Sequence, residues 1–154
     1  MAAEDSERGV AAGMFAADLA SNELGMELLD LGDGSAIVRM TVTRTMINGH
    51  GIAHGGYVFL LADTAFACAC NSRGVVTVAA GADISFVAPV SEGAVLVATA
   101  AERAAFGRSG IYDVTVRNGG SGSRGVPWQV EGPQRQVAQQ SRQLARIEHL
   151  ARGL

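Results

Sequence analysis

The sequence contains no lysine, and all twelve basic residues among its 154 positions are arginines. This absence excludes a P-loop phosphate site, Schiff-base chemistry and any catalytic lysine. Proline, cysteine and tryptophan are also scarce, with three, two and one residues. Because apolar residues make up 48% of the chain and charged residues only 18%, the composition predicts one folded domain with a sizeable core.

Charge and hydropathy limit the kinds of partner that the protein is expected to have. The formal net charge is −3 and the pI is about 5.5, which argues against nucleic acid. The most apolar run, residues 57–70, is interrupted by Asp63 and is shorter than the ~20 residues that span a bilayer. The first ten residues lack the basic start and apolar stretch of a secretion signal. We therefore expect a cytoplasmic protein that binds neither membranes nor nucleic acid.

Cys68 and Cys70 are the only cysteines, and both lie in a predicted helix. Two helical positions differ by about 200° in direction, so the two thiols are expected to face opposite ways. This favours two buried structural thiols over a disulfide or a shared metal. The histidines do not complete a metal set with them, so no metal or cofactor is expected.

Hydrophobic periodicity predicts helices and strands up to residue 116. The expected order is an amphipathic helix over 8–20, strands over 26–31 and 36–42 joined by a glycine-rich turn, a buried helix over 55–71, and strands over 75–87, 94–106 and 111–116. Strands that bracket one buried helix predict an α+β fold, with a single antiparallel sheet wrapped around that helix.

The regular pattern stops near residue 119. The net charge is −6 over residues 1–120 and +3 over residues 121–154. Residues 119–125 are rich in glycine and serine, as in linkers, and residues 137–151 are compatible with a basic helix. A charge asymmetry of this kind indicates a tail with a different role or origin.

Asp63 is the most informative residue, because nearly everything around it in the helix is apolar. An ionised carboxylate that is buried without a partner costs several kcal/mol. One interpretation is that Asp63 faces solvent or a subunit interface and is merely solvated. The interpretation that we favour is a carboxylate held at a cleft or dimer seam as a base or nucleophile.

His54-Gly55-Gly56 begins the same helix. Glycines at a helix start leave the first backbone N–H groups open to an anion or a developing oxyanion, although a plain turn is the common alternative. Gly55 and Asp63 are eight residues apart, or about 12 Å along the axis. Since both cannot reach one reacting carbon within a chain, a site that uses both predicts a two-fold dimer.

Three further polar side chains near these residues have two interpretations each. Asn48 and His54 can orient a carbonyl or water, or they can cap the loop. Thr64 can hold a nucleophilic water, or its hydroxyl can bond back to the helix backbone.

The central segment closely resembles the hotdog-fold acyl-CoA thioesterases, and within them the PaaI type of phenylacetate degradation. The resemblance covers roughly residues 10–118 and is most specific over residues 48–72. The segments that carry it are Asn48-Gly-His-Gly-Ile-Ala-His-Gly-Gly56, Leu61-Ala-Asp-Thr-Ala-Phe-Ala67, Ala69-Cys-Asn-Ser72, Asp83-Ile-Ser-Phe86 and Gly110-Ile-Tyr-Asp-Val-Thr-Val116.

The resemblance implies a hotdog fold and a homodimer or homotetramer whose active site lies at the dimer seam. It implies hydrolysis of aryl-CoA thioesters, such as (hydroxy)phenylacetyl-CoA, to the free acid and CoA. By similarity, Asp63 activates water or attacks the thioester carbonyl, and Gly55 supplies the oxyanion-hole N–H. Asn48 and His54 then shape the site.

The resemblance also implies residues that bind substrate. Thr64 and Gly56 adjoin the proposed catalytic groups, and Tyr57 and Phe59 are expected to shape the acyl pocket. The phosphates of CoA need cationic partners, for which Arg73 and Arg108 are the candidates.

The C-terminus departs from the family, whose members finish with one more sheet strand. Residues 125–132 stand in that place and include Pro127, and a proline inside a strand removes a ladder donor. We therefore predict a thioesterase domain over residues 1–120 and a divergent tail over 121–154 that is either disordered or the product of a shifted reading frame.

Two other functions stay open at this point. A hotdog-fold enoyl-CoA hydratase pairs a histidine with an acid, but here His54 precedes the helix that contains Asp63. A catalytically silent acyl-CoA-binding protein is the second alternative, because the atypical tail puts the integrity of the sheet in doubt.

Overall fold

The computed structural model describes residues 2–119 and 134–140, with side chains described from Gly9 to Gly119. Within these residues the order of elements is α1 (Ala2–Ala17), α2 (Leu19–Glu23), β1 (Glu27–Gly32), β2 (Ser35–Thr41), a 3-10 turn (Arg44–Met46), α3 (Gly55–Asn71), β3 (Thr77–Ala82), β4 (Val95–Phe106), β5 (Ser109–Asn118) and β6 (Gln134–Gln140).

The six strands form one sheet in the order β1-β2-β4-β5-β6-β3, and every neighbouring pair is antiparallel. The β1–β2 connection is a tight turn in which Gly34 has a φ of +68°, a conformation that favours glycine. β1 and β3 are therefore the two edges of the described sheet.

Helix α3 packs against one face of this sheet and forms the core with it. Inward-facing positions alternate along the strands, as the two-residue period of a strand requires. Phe66 of α3 meets Tyr112 of β5 edge-on, with ring centroids 5.3 Å apart. The fully buried core side chains include Leu61 and Ala65 on α3, Val38 and Met40 on β2, Leu96 and Ala98 on β4, and Val114 and Val116 on β5.

The α+β prediction, with one sheet around one buried helix, is confirmed, and α3 spans the predicted residues. The strand predicted over 75–87 is wrong at both ends, because only Thr77–Ala82 pairs with a neighbour. The first helix begins earlier than predicted and ends at Ala17, because Asp18 starts a separate short helix as its N-cap.

The tail contributes a strand that the sequence pattern did not predict. β6 lies between β5 and β3, and pairs with β5 from Ser109 to Val114. The predicted basic helix over 137–151 is therefore wrong at residues 137–140, where the chain is extended; the rest of that segment and residues 125–132 lie outside the described residues. The division into a domain and a divergent tail stays a prediction. No helix in the described ranges is long and apolar enough to cross a bilayer.

Candidate active site

The start of α3 carries one open backbone donor. His54 is the N-cap, and its Nδ1 accepts a hydrogen bond from the Gly56 N–H at 3.0 Å. The Gly55 N–H has no acceptor within residues 2–119 and 134–140. Of the two glycines predicted to bind substrate or oxyanion, Gly55 therefore presents a free donor at the positive end of the helix, whereas the donor of Gly56 is used by the cap.

A phenylalanine explains why position 55 is glycine. A Cβ atom added at Gly55 would lie 2.9 Å from Cζ of Phe86. The ring of Phe86 thus packs directly over the first residue of the helix, while about half of its surface remains exposed. Any larger residue at position 55 would displace the ring or the helix start.

Asn48 orders the loop that leads into α3. Its Oδ1 accepts the N–H of His50 at 2.8 Å and that of Ile52 at 3.4 Å, and its own backbone N–H donates to the Ile52 carbonyl. His54 likewise caps the helix. Both residues have the loop-capping role that was one of their two interpretations, and they hold the Gly55 N–H in place.

Asp63 lies half-buried in the middle of α3 without a partner. No side chain or backbone group in the described part of the chain bonds to it or pairs with it. Burial raises the pKa of its carboxyl, and the nearby negative charge of Asp18 raises it further. An unpaired carboxylate of raised pKa is a better proton acceptor than a solvated one, which suits it to general-base chemistry.

The Thr64 hydroxyl is buried, and within the described residues it is not hydrogen-bonded to the backbone of its own helix; that it holds a nucleophilic water stays a prediction. Its Oγ1 lies 2.9 Å from the Oγ of Ser21, which in turn donates to Asp18 at 2.6 Å. Ser21 is also fully buried. Thr64 therefore joins α3 to α2 immediately beside Asp63.

The residues expected to shape the acyl pocket are only partly placed to do so. Tyr57 and Phe59 are half-buried in the first turns of α3, and the ring of Tyr57 meets that of His54 edge-on. A cavity of about 290 Å³ opens beside Val58 instead. Its other lining residues are Ala88, Pro89, Val90, Ser91, Ala94, Leu96, Val116 and Asn118.

The two candidate phosphate-binding arginines differ. Arg73 is held by two carboxylates: its guanidinium pairs with Glu102, and its Nε lies 2.5 Å from Asp33. Arg108 is exposed in the β4–β5 turn, and no ion pair of it is seen within the described residues. Both line a smaller cavity of about 110 Å³ at the end of α3 remote from Gly55.

The thiols of Cys68 and Cys70 are free and buried, as expected. Burial raises the pKa of each to about 12, so neither is a nucleophile near neutral pH. In the described ranges, no group of three or more histidine, cysteine or acidic side chains could hold a metal ion.

A sheet wrapped around one buried helix, with an open donor at the helix start and an unpaired carboxylate within it, defines a hotdog-fold protein of the thioesterase class. Residues 50–123 match the sequence model of the thioesterase superfamily. The chain is 44% identical over 105 residues to the acyl-coenzyme A thioesterase PaaI of Escherichia coli, covering 68% of this chain and 75% of that protein.

Solved structures agree. The PaaI protein from the phenylacetic acid degradation operon of E. coli superposes with a TM-score of 0.74 and 36% identity, covering 86% of this chain and 91% of that one. A conserved protein of Pseudomonas aeruginosa superposes with a TM-score of 0.68 and 28% identity over 79% and 94% of the two chains. The chain belongs to the thioesterase superfamily and, within it, to the PaaI-type acyl-CoA thioesterases.

Sequence reasoning missed three residues near the site. Phe86 was noted only as part of a matching segment, although its contact with Gly55 fixes the identity of that residue. Asp18 was placed inside the helix predicted over 8–20, and Ser21 was not singled out; the spacing of an N-cap aspartate and a serine three residues later was the available signal.

Proposed function

We propose that this protein hydrolyses aryl-CoA thioesters, such as phenylacetyl-CoA and hydroxyphenylacetyl-CoA, to the free acid and CoA. The observation that carries the proposal is that one helix, α3, holds both a Gly55 N–H without an acceptor and an Asp63 carboxylate without a partner among the described residues. The relative named acyl-coenzyme A thioesterase and the solved relative from a phenylacetic acid degradation operon support the substrate class.

The chemistry needs an electrophilic carbonyl, a donor and a base. The thioester oxygen would accept the Gly55 N–H, which, with the positive end of α3, stabilises the charge that develops on that oxygen. Asp63 would remove a proton from water as the water attacks the carbonyl carbon, or would itself attack that carbon. On the general-base route, collapse of the tetrahedral intermediate would expel the CoA thiolate, and the proton held by Asp63 would pass to it. On the nucleophilic route, loss of the thiolate would leave an anhydride between Asp63 and the acyl group. Water would then hydrolyse this anhydride to release the free acid and restore the Asp63 carboxylate, and one proton of that water would go to the thiolate.

Geometry requires two subunits for this reaction. Eight residues of helix separate Gly55 from Asp63 by about 12 Å, so one chain cannot present both groups to one carbon. The edge strand β3 offers the contact: Val75, Val76, Val78, Phe86 and Val87 on and beside it are 43–54% exposed. An apolar, unpaired edge of this kind favours pairing with a second copy. We propose a homodimer, or a tetramer made of two such dimers, in which Asp63 of one subunit faces Gly55 of the other.

The proposed substrate and the free thiols also bear on where in the cell the protein is located. CoA thioesters are the proposed substrate, and both cysteines are free thiols, as is usual in reducing compartments. We therefore propose a cytoplasmic location. Of the two arginines, Arg108 is the better candidate for the CoA phosphates, because Arg73 is already neutralised by Glu102 and Asp33.

Thiol release tests the proposal. The purified protein is expected to release free CoA thiol from phenylacetyl-CoA, and Asp63→Asn is expected to abolish this while remaining folded and able to bind the thioester. Loss of enoyl absorbance from crotonyl-CoA without thiol release would indicate a hydratase instead. Binding without turnover in the unaltered protein would indicate a silent acyl-CoA-binding protein. The hydratase is disfavoured because Nδ1 of His54 is occupied as a helix cap.

A further inference from the structure

Three hydrogen-bonded side chains connect the N-terminal helices to the turn of α3 that carries Asp63. Asp18 accepts from both the backbone N–H and the hydroxyl of Ser21, at 3.0 and 2.6 Å. The Ser21 hydroxyl lies 2.9 Å from that of Thr64. We call Asp18, Ser21 and Thr64 the relay. Both hydroxyls are buried, so the relay is shielded from competing water.

The relay also places a second carboxylate near Asp63. The hydrogen bond of Asp18 to Ser21 and the contact of Ser21 with Thr64 place Asp18 beside the middle of α3. Neither Asp18 nor Asp63 has a cationic partner in an ion pair of the described residues. The nearby negative charge of Asp18 adds to burial in raising the pKa of Asp63, because it disfavours the ionised form of that carboxyl.

Other ionisable groups packed against α3 are engaged elsewhere. From the sheet, the Tyr112 hydroxyl donates to Glu102 near the opposite end of the helix, and Arg39, on the face turned away from α3, pairs with Glu27 across β1 and β2. On α3 itself, the thiols of Cys68 and Cys70 are neutral near pH 7. Among the side chains described, Asp18 is thus the group whose charge acts on Asp63.

We propose that Asp18 is a positioning residue for Asp63: through Ser21 and Thr64 it fixes the turn of α3 that carries the Asp63 carboxylate, and it places a second negative charge beside that turn. This inference rests on the proposed role of Asp63. Asp18 and Ser21 lie in the N-terminal part of the chain, outside the residues 50–123 that match the superfamily model, whereas Thr64 and Asp63 lie within them.

Asp18→Asn removes the charge and keeps most of the relay. Asparagine is as good an N-cap as aspartate and keeps the oxygen that accepts the Ser21 N–H. Its NH₂ group replaces the second oxygen, so the Ser21 hydroxyl would accept from that group and donate to Thr64 instead. The acid limb of the kcat/KM profile for phenylacetyl-CoA is expected to move to lower pH, because removing the charge of Asp18 lowers the pKa of Asp63. Asp18→Ser, another favoured N-cap, provides a second neutral variant should Asp18→Asn fold poorly.

Two matched variants isolate the two effects. Glu23→Gln removes an exposed charge from the same short helix and is expected to leave the profile in place. Ser21→Ala breaks the relay but keeps the charge of Asp18, so we expect kcat to fall about fivefold, the effect of one ordinary hydrogen bond, with the acid limb unmoved.

A measurement independent of activity keeps this test apart from that of the proposed function. Carbon NMR of the Asp63 carboxyl, assigned with Asp63→Asn, reports its titration even if no substrate turns over. A titration that moves to lower pH in Asp18→Asn but not in Glu23→Gln supports the proposal. Identical titration curves for Asp63 in the unaltered protein and both variants would overturn it.

Discussion

The two ends of helix α3 differ in how their polar groups are satisfied. At the C-terminal end, Arg73 binds Glu102 and Asp33, the Tyr112 hydroxyl donates to Glu102, and the Ser72 hydroxyl accepts the Gly34 N–H at 2.8 Å. At the N-terminal end, Gly55 keeps a free N–H.

The difference separates structure from chemistry along one helix. Polar groups that bind one another fix the β1–β2 turn and β4 to the helix end, and they have little capacity left for a ligand. A free donor at the start and an unpaired carboxylate in the middle are unfavourable for stability unless a ligand or a second subunit satisfies them. That contrast favours a structural role for Arg73, whose predicted contact with substrate stays a prediction, and it keeps Gly55 and Asp63 as the candidate catalytic pair.

Removing the unpaired carboxylate should have the largest effect. We expect Asp63→Asn to lower kcat by about 10³-fold, the range of a lost general base, in a thiol-release assay. The same variant should be at least as stable as the unaltered protein at pH 7. A raised carboxyl pKa means that ionisation disfavours the folded state, so native stability falls as pH rises from the unfolded pKa through the folded one.

The control for that comparison is Glu23→Gln, which should change neither kcat nor the melting temperature. A clear loss of stability in Asp63→Asn would show that the carboxylate has a structural partner, and the contrast between the helix ends would then be wrong.

Disturbing the open donor should have the next largest effect. In Gly55→Ala the new Cβ would lie 2.9 Å from the Phe86 ring, so the helix start or the ring must move. A misplacement of about 1 Å at a reacting group costs about 10²-fold, which we expect in kcat/KM. Gly49→Ala, in the same loop but with no atom within 4 Å of the added Cβ, should be nearly silent. Equal effects of the two changes would contradict the role of Gly55.

At the C-terminal end of α3, where the polar side chains are paired, substitutions should change stability rather than turnover. The Arg73 hydrogen bond, together with the hydroxyl of Tyr112, lowers the pKa of Glu102. The interaction therefore stabilises the fold above the unfolded pKa of glutamate and is lost as pH falls through the lowered folded pKa. Glu102→Gln should cost on the order of 1 kcal/mol at pH 7 and flatten the stability loss on acidification in urea titrations. An altered kcat with unaltered stability would refute this assignment.

The smallest effect is expected at Arg108. Because it is exposed in the β4–β5 turn, Arg108→Ala should raise KM for acyl-CoA about threefold at low salt and by less at 0.5 M NaCl, with kcat unchanged. Arg73→Ala, its counterpart at the same cavity, should lower the melting temperature instead. A KM that is insensitive to Arg108 would remove this residue from the substrate site.

The sequence was sufficient for the elements whose signals are local. Residues 55–71 are almost continuously apolar, so the bounds of α3 followed from composition, and the strands β2, β4 and β5 followed from their alternation. β6 could not be predicted, because Gln134–Gln140 contains one valine and one alanine among polar residues and is a strand only through pairing with β5 and β3.

The residues of the candidate site also divide into those with a local sequence signal and those without one. The glycines at the helix start and the lone carboxylate in an apolar helix are local patterns, and both were found in the sequence. The contacts of Arg73 with Asp33 and Glu102, and of Thr64 with Ser21, join residues 29 to 43 positions apart on different parts of the fold. Such pairings depend on how the sheet and helices pack, so no spacing along the chain predicts them.

The central claim is that one active site takes Gly55 from one subunit and Asp63 from the other, and mixing two inactive variants tests it most directly. Asp63→Asn and Gly55→Ala chains, coexpressed in equal amounts, should form mixed dimers that contain one intact site each. Random pairing then predicts thiol release at about one quarter of the unaltered rate, far above either variant alone. Activity of the mixture no greater than the average of the two variants would contradict a shared site.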